Sequence, residues 1–198
     1  MKQFWEERYA ESEYVYGTVP NEFFKSFLDQ HPAGRLLLPA EGEGRNAVYA
    51  ARHGWMVTAF DYSENARQKA LALAGQDGVT LDYQVTELRL FDFPEAAFDV
   101  VGLFFVHLPP ADRAYLHQQV IRSLRPGGKV ALEAFSKEQL AFQSGGPRHE
   151  AMLFDTRLLS SDFSGLQIPF LKQEKILLQE GRYHQGEASV VRMLANKK

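Results

Sequence analysis

Apolar runs alternate with amphipathic segments through the first two thirds of the chain. Runs at 35–39, 55–60, 79–85, 98–105 and 129–135 read as strands, the first carrying the unbroken Leu36-Leu37-Leu38 of a buried one. The spacing between them predicts helices over 45–53, 64–74 and 110–124, with Gly54 as the stop of the first and Ser63 as the N-cap of the second. Two earlier helices are predicted over 4–10 and 21–30, the second opening after Pro20 and closing at His31-Pro32. Strands alternating with helices at this pitch imply a doubly wound sheet of parallel strands. The last third differs. Between its strand-like runs, 176–178 and 188–194, lies only the stretch 181–187, too little for a crossover helix, so they should pair as an antiparallel hairpin. The predicted fold is α/β: a doubly wound, mostly parallel seven-stranded sheet with an antiparallel C-terminal hairpin.

Bulk properties narrow the picture. The chain has 198 residues, 45% of them hydrophobic, enough for one domain over 1–198 with a real core and with 1–31 as an N-terminal helical cap. Net charge is −3 and no long basic run occurs, which disfavours a nucleic-acid partner. There is no cysteine, so thiol and disulfide chemistry are excluded. The charged start, Met1-Lys2-Gln3-Phe4-Trp5-Glu6-Glu7-Arg8, has no signal-peptide apolar region, and no apolar run reaches membrane-span length. A cytoplasmic location, no membrane partner and a monomer or homodimer are expected. The histidines at 31, 53, 107, 117, 149 and 184 show no helical ligand spacing, so no metal site is expected. His53 and His117 read as helix-surface residues.

The most informative stretch joins the strand at 35–39 to the helix at 45–53 through Ala40-Glu41-Gly42-Glu43-Gly44. Strand, glycine turn, helix is how an α/β sheet brings bare backbone close to a ligand. Asp61 follows Gly44 by 17 residues (61 − 44), at the end of the next apolar run. A carboxylate there can accept both hydroxyls of a ribose. The pair points to a nucleoside-containing cofactor at the carboxyl ends of two neighbouring strands. Gly42-x-Gly44-x-x-Ala47 also fits the dinucleotide fingerprint in form, which leaves a nicotinamide-dependent oxidoreductase as an alternative.

With these landmarks the chain resembles a class I S-adenosylmethionine-dependent methyltransferase over residues 4 to 194. The glycine turn resembles the family's first motif, and Asp61 in Val57-Thr58-Ala59-Phe60-Asp61-Tyr62-Ser63 its acidic ribose ligand. Phe98-Asp99-Val100-Val101 with Phe105-Val106-His107-Leu108-Pro109-Pro110 resembles the fourth strand and its loop. Leu124-Arg125-Pro126-Gly127-Gly128-Lys129-Val130, the most diagnostic segment, resembles the turn into the fifth strand. Trp5-Glu6-Glu7-Arg8-Tyr9, Glu13-Tyr14-Val15-Tyr16-Gly17 and Leu38-Pro39-Ala40 are similar to the small bacterial branch of tellurite-resistance and thiopurine methyltransferases. Leu38 stands where the family has an acid that holds the methionine ammonium, so Glu41, Glu43 or loop carbonyls are candidates for that task. Ala40 stands where the family has glycine, which implies a backbone angle that alanine takes without strain.

The resemblance implies an S-adenosyl-L-methionine cofactor, an S-adenosyl-L-homocysteine product and in-line methyl transfer. Gly42 and Gly44 would let the cofactor approach the backbone, and the amides opening the helix at 45–53, Asn46 included, would face its amino-acid end. Asp61 would take the ribose, Tyr62 pack on the adenosine, and Thr86, Glu87 and Leu88 meet the adenine edge. Phe104 and Phe105 would close the pocket floor. Tyr9 and Tyr16 would touch the cofactor, or staple the N-terminus to the core together with Phe4, Trp5 and Tyr14. His107 is the candidate base or substrate-orienting group, with a loop-fixing role open beside it. Trp5, His149 and His184 are candidate substrate contacts, His149 beside a Ser144-Gly145-Gly146-Pro147-Arg148 stretch with lid-like composition. Arg148 would pair with an anionic substrate or be solvated. No separate substrate domain follows the fifth strand, which favours a small-molecule acceptor; a non-catalytic S-adenosylmethionine-binding protein is the second alternative.

Overall fold

The computed structural model describes residues 2–198 and contains six α-helices, two short 3₁₀ turns and seven strands. In chain order the elements are α1 (Lys2–Tyr9), α2 (Glu22–Leu28), β1 (Arg35–Pro39), α3 (Arg45–Arg52), β2 (Met56–Asp61), α4 (Glu64–Gln76) and β3 (Asp82–Val85). They continue with β4 (Phe98–Phe104), α5 (Pro110–Ser123), β5 (Leu124–Phe135), α6 (Thr156–Asp162), β6 (Gln167–Glu180) and β7 (His184–Asn196). The strands form a mixed seven-stranded sheet in the order β3-β2-β1-β4-β5-β7-β6, parallel in its first part with an antiparallel C-terminal end.

Two compact units share the chain. The first holds the chain up to Asp92 together with Glu180–Tyr183; the second holds Phe93–Gln179 and His184–Lys198. In the first unit β1 pairs parallel with β2, Leu38 beside Ala59, and β2 pairs parallel with β3, Asp61 beside Val85. Leu36, Leu37 and Leu38 are buried on both faces, which is why an unbroken apolar run rather than an alternating one marks this strand. Gly54 at φ 83° ends the α3 turn, and Ser63 Oγ accepts from the Ala66 amide at 3.1 Å to start α4. Val79 and Leu81, expected in the third strand, instead pack against Val48, Leu73 and Ala74, so β3 begins only at Asp82.

In the second unit β4 pairs parallel with β5, and β5 pairs antiparallel with β7 from Lys129–Asn196 to Phe135–Val190. The hairpin strands are far longer than the apolar runs that announced them, because β6 continues through half-exposed, mixed positions that carry no clean alternation. The turn is three residues, Gly181 to Tyr183, not 181–187. Helix α6 was not legible in the sequence. Asp155 caps it, accepting from the Leu158 amide at 2.7 Å, and it buries little besides Leu159. No helix among the described residues is long and apolar enough to cross a membrane.

Candidate functional site

The β1–α3 turn and the end of β2 meet in the first unit. Asp61 lies at the last position of β2, 6% exposed, and is tied to the turn: Oδ2 accepts from the Gly42 amide at 3.2 Å and Oδ1 from the Ser63 amide at 3.0 Å. Burial raises its pKa to about 6 against the pull of those amides, and the charge of Glu6 pushes the same way. Tyr83 on β3 donates to the Gly42 carbonyl at 2.5 Å, and the Thr86 amide donates to the Asp61 carbonyl at 2.9 Å. Backbone, carboxylate and phenol therefore fix the turn from three strands' ends.

The two glycines are required, but for protein packing. A Cβ on Gly42 would lie 2.7 Å from the Tyr9 hydroxyl; one on Gly44 would lie 2.6 Å from Ala70 Cβ of α4. Both take positive φ, 66° and 87°. Tyr9 occupies the space a side chain would take at Gly42, and α4 occupies that at Gly44. The expectation for Ala40 is corrected. It has φ 51°, a left-handed angle that costs a non-glycine residue free energy, so the loop holds it there against its preference.

Glu41 caps α3. Gly44 at the N-cap has no side chain to do so, and Glu41 Oε1 accepts from the Ala47 amide at 2.7 Å. The Asn46 amide also bonds this carboxylate, whose pKa burial raises to about 7. The first amides of α3 thus face a protein carboxylate, not the amino-acid end of a cofactor. The Asn46 side chain is equally engaged, Oδ1 accepting from the Asn21 amide at 2.9 Å, which anchors the start of α2. Glu43 is drawn away: it bonds Lys69 Nζ at 2.7 Å and the Val15 amide at 2.9 Å. Leu38, 1% exposed, belongs to the core.

The N-terminal aromatics cluster here. Trp5 stacks on Tyr9 at 5.5 Å and lies 6.2 Å from Tyr16; Tyr9, Val15 and Ala66 form the buried centre with Trp5, Tyr16 and Tyr183 against it. Arg8 donates to the Tyr16 hydroxyl at 3.0 Å. The tip of the hairpin joins them: Glu180 bonds Arg45 at 2.9 Å, and the Tyr183 hydroxyl bonds Glu11 at 2.7 Å. These contacts give the stapling role a structural basis. Tyr9 goes further, since burial and the nearby Asp61 charge push its phenol well above the ordinary value. Tyr62 is half-buried beside Asp61 and raised by the same causes. Leu88 is half-buried. Glu87 is exposed, with Lys2 3.6 Å away.

The remaining candidates lie in the second unit. Phe104 is half-buried at the end of β4. Phe105 takes φ 56° and packs edge-on against His184 (4.5 Å) and tilted against Phe135 (4.7 Å). His184 opens β7 rather than sitting at the hairpin tip, and is 6% exposed. His107 is corrected as a base: Nδ1 donates to the Met152 carbonyl at 2.8 Å while Nε2 accepts from the Phe135 amide at 3.2 Å. Both ring nitrogens are committed to backbone, and burial lowers its pKa to about 4, so the neutral ring pins the loop to β5. His117 is not a surface residue; it is 3% exposed, bonds Asp162 at 2.8 Å and stacks near Phe163. His149 is exposed. The neighbouring 144–148 stretch is anchored, with Ser144 buried between Gln139 (2.9 Å) and the Glu187 carbonyl (2.6 Å). Arg148 is exposed and donates to the Phe142 carbonyl at 2.9 Å and to Gln143 at 2.8 Å.

Sequence reasoning missed Glu6 and Tyr83 here. Tyr83 was concealed in the strand alternation; Glu6 lies one helical turn before Tyr9, the only signal available.

Residues 39–128, from the end of β1 to the turn inside β5, match the methyltransferase domain family. An uncharacterized protein of Mycobacterium tuberculosis is 31% identical over 108 residues, 54% of this chain and 39% of that protein. The 27-O-demethylrifamycin SV methyltransferase of Amycolatopsis mediterranei is 36% identical over 107 residues, 51% of this chain and 38% of that enzyme. The chain thus spans about two fifths of the length of these relatives. Among solved structures, TehB from Haemophilus influenzae superposes with a TM-score of 0.72 at 16% identity, over 100% of this chain and 67% of that one. A structure described under conversion of a disulfide bond into a thioacetal group during echinomycin biosynthesis superposes at 0.81 and 15% identity, over 100% and 92%. The chain has the α/β methyltransferase fold of these structures, and residues 39–128 match the methyltransferase domain family.

Proposed function

We propose that the chain is an S-adenosylmethionine-dependent methyltransferase with a small-molecule acceptor. One observation carries the reading: within the stretch matching the methyltransferase domain family, a buried carboxylate, Asp61, closes β2 against the glycine turn after β1. The residues fit such a group. Burial raises the pKa values of both Asp61 and Glu41, and Glu6 adds a third carboxylate. A ligand bringing hydroxyl donors and a positive charge satisfies what the protein leaves open.

When bound, S-adenosylmethionine supplies a methyl group activated by a sulfonium. The chain's part is to bind, orient and exclude water. Asp61 is assigned to the ribose, Tyr9 and Tyr62 to covering the adenosyl group, Tyr16 and Trp5 to the shell behind them, and Thr86 and Leu88 to the adenine edge. The acceptor is a small molecule because the rifamycin methyltransferase among the relatives acts, by its name, on such a molecule, and because the net charge of −3 offers no footprint for nucleic acid.

Calorimetric titration with adenosylhomocysteine and, separately, NAD tests the cofactor. Asp61→Asn should weaken adenosylhomocysteine binding by about 2 kcal/mol, the value of hydrogen bonds to a charged acceptor. Unchanged affinity, or tighter binding of NAD, would overturn the assignment. Transfer of a labelled methyl group to a panel of thiols, chalcogen oxyanions, phenols and amines then tests the activity. Binding without transfer to any of them would leave a cofactor-binding protein without catalysis.

A further inference from the structure

Glu6 on α1 carries an acceptor that the protein does not use. Its Oε1 accepts from the Asn65 amide at 3.4 Å, and its backbone carbonyl accepts from Asn65 Nδ2 at 3.1 Å, so the residue is held against the start of α4. Its second oxygen, Oε2, is buried and meets no hydrogen-bond donor among the described residues. The neighbouring cations are engaged elsewhere. Lys2 lies with Glu87, Arg8 stacks on Phe4 and Tyr183 and bonds Tyr16, and Arg67 bonds Glu64 and the Tyr83 carbonyl. A buried carboxylate oxygen left without a donor is costly, and a native structure tolerates one where something outside the chain completes it. The place is specific: the charge of Glu6 is felt at both Asp61 and Tyr62. Asp61 already gives one lone pair on each oxygen to an amide, of Gly42 and of Ser63. The Tyr62 amide also bonds this carboxylate, so about one of its four acceptor positions stays open for a sugar that brings two adjacent hydroxyls.

We propose that Glu6 is a second ribose ligand, its Oε2 accepting a hydrogen bond from one sugar hydroxyl while Asp61 takes the other. The proposal rests on the adenosyl reading above. It makes α1 a part of the binding site that closes the sugar from the N-terminal side, and it predicts that the chain discriminates strongly against deoxyribose ligands.

Glu6→Gln tests it, because the amide retains an oxygen for Asn65 and replaces the open acceptor with a donor. Binding of adenosylhomocysteine and of its 2′-deoxy and 3′-deoxy forms is measured by calorimetry for the wild type and the variant, and the melting temperature without ligand is recorded. The expected result is a loss of about tenfold or more for adenosylhomocysteine, the scale of a hydrogen bond to a charged group. One deoxy form should show no such loss, and the ligand-free melting temperature should be unchanged or higher, since an uncompensated buried charge has been removed. Equal losses for all three ligands, an unaltered affinity, or a lowered melting temperature with unaltered affinity would each overturn the proposal and return Glu6 to a helix-packing role. A wild type that binds no adenosylhomocysteine would overturn the adenosyl reading itself, a result distinct from any effect of the variant.

Discussion

The two units treat buried polar groups in opposite ways. In the second, they are closed on one another. Arg192 bonds the fully buried Glu133 and, at 3.0 Å, Glu174; His117 and Arg113 share Asp162; His107 spends both nitrogens on backbone; Ser136 and Ser189 bond at 2.7 Å. In the first, carboxylates gather around one turn with spare acceptor capacity. Asp61 and Glu41 are raised by burial, and Glu6 keeps an oxygen without a donor. Satisfied networks fix a fold; a network short of donors describes a ligand. His107 and His117 belong to the first kind, and Asp61 and Glu6 to the second.

That contrast breaks most sharply at Arg192. Arg192→Ala leaves Glu133 buried without its partner and should cost about 3–5 kcal/mol of stability, read by chemical denaturation. A loss under 1 kcal/mol would mean that the second unit's ions are not closed in the way described. His107→Ala strips the Met152 carbonyl and the Phe135 amide of their partner and should cost about 1–3 kcal/mol, while the pH profile of methyl transfer keeps its shape. Loss of a titrating limb from that profile would restore His107 as a base and dissolve the distinction between the units.

The smallest effect sharpens the other side. Glu41 and Asp61 hold raised values in the folded chain, about 7 and about 6, against ordinary values of 4.5 and 3.8. The folded state therefore binds more protons between these limits, and its stability is greatest below about pH 4 on this account and falls as pH rises through 6 to 7. Glu41→Gln preserves the Ala47 bond and should flatten that fall by an amount on the order of 1 kcal/mol, followed as melting temperature against pH without ligand. A slope of the opposite sign would show the carboxylate to be compensated after all.

Local pattern was enough for most of the architecture. The strand at 35–39, the Ser63 cap, the Gly54 stop and the carboxylate at the end of β2 are written in neighbours a few residues apart, where periodicity and capping chemistry act. What it left out depended on partners far away in the chain. Gly44 is a glycine because Ala70 of α4 arrives there, Gly42 because Tyr9 does, and Glu41 faces inward because α3 begins with a residue that has no side chain. His107 meets Met152 across 45 positions, and Glu6 meets Asn65 across 59. A sequence read along its length lists which groups can ionise, donate or accept. Only the packed chain decides which of them find each other and which stay open for a ligand, because burial and pairing are properties of neighbours in space.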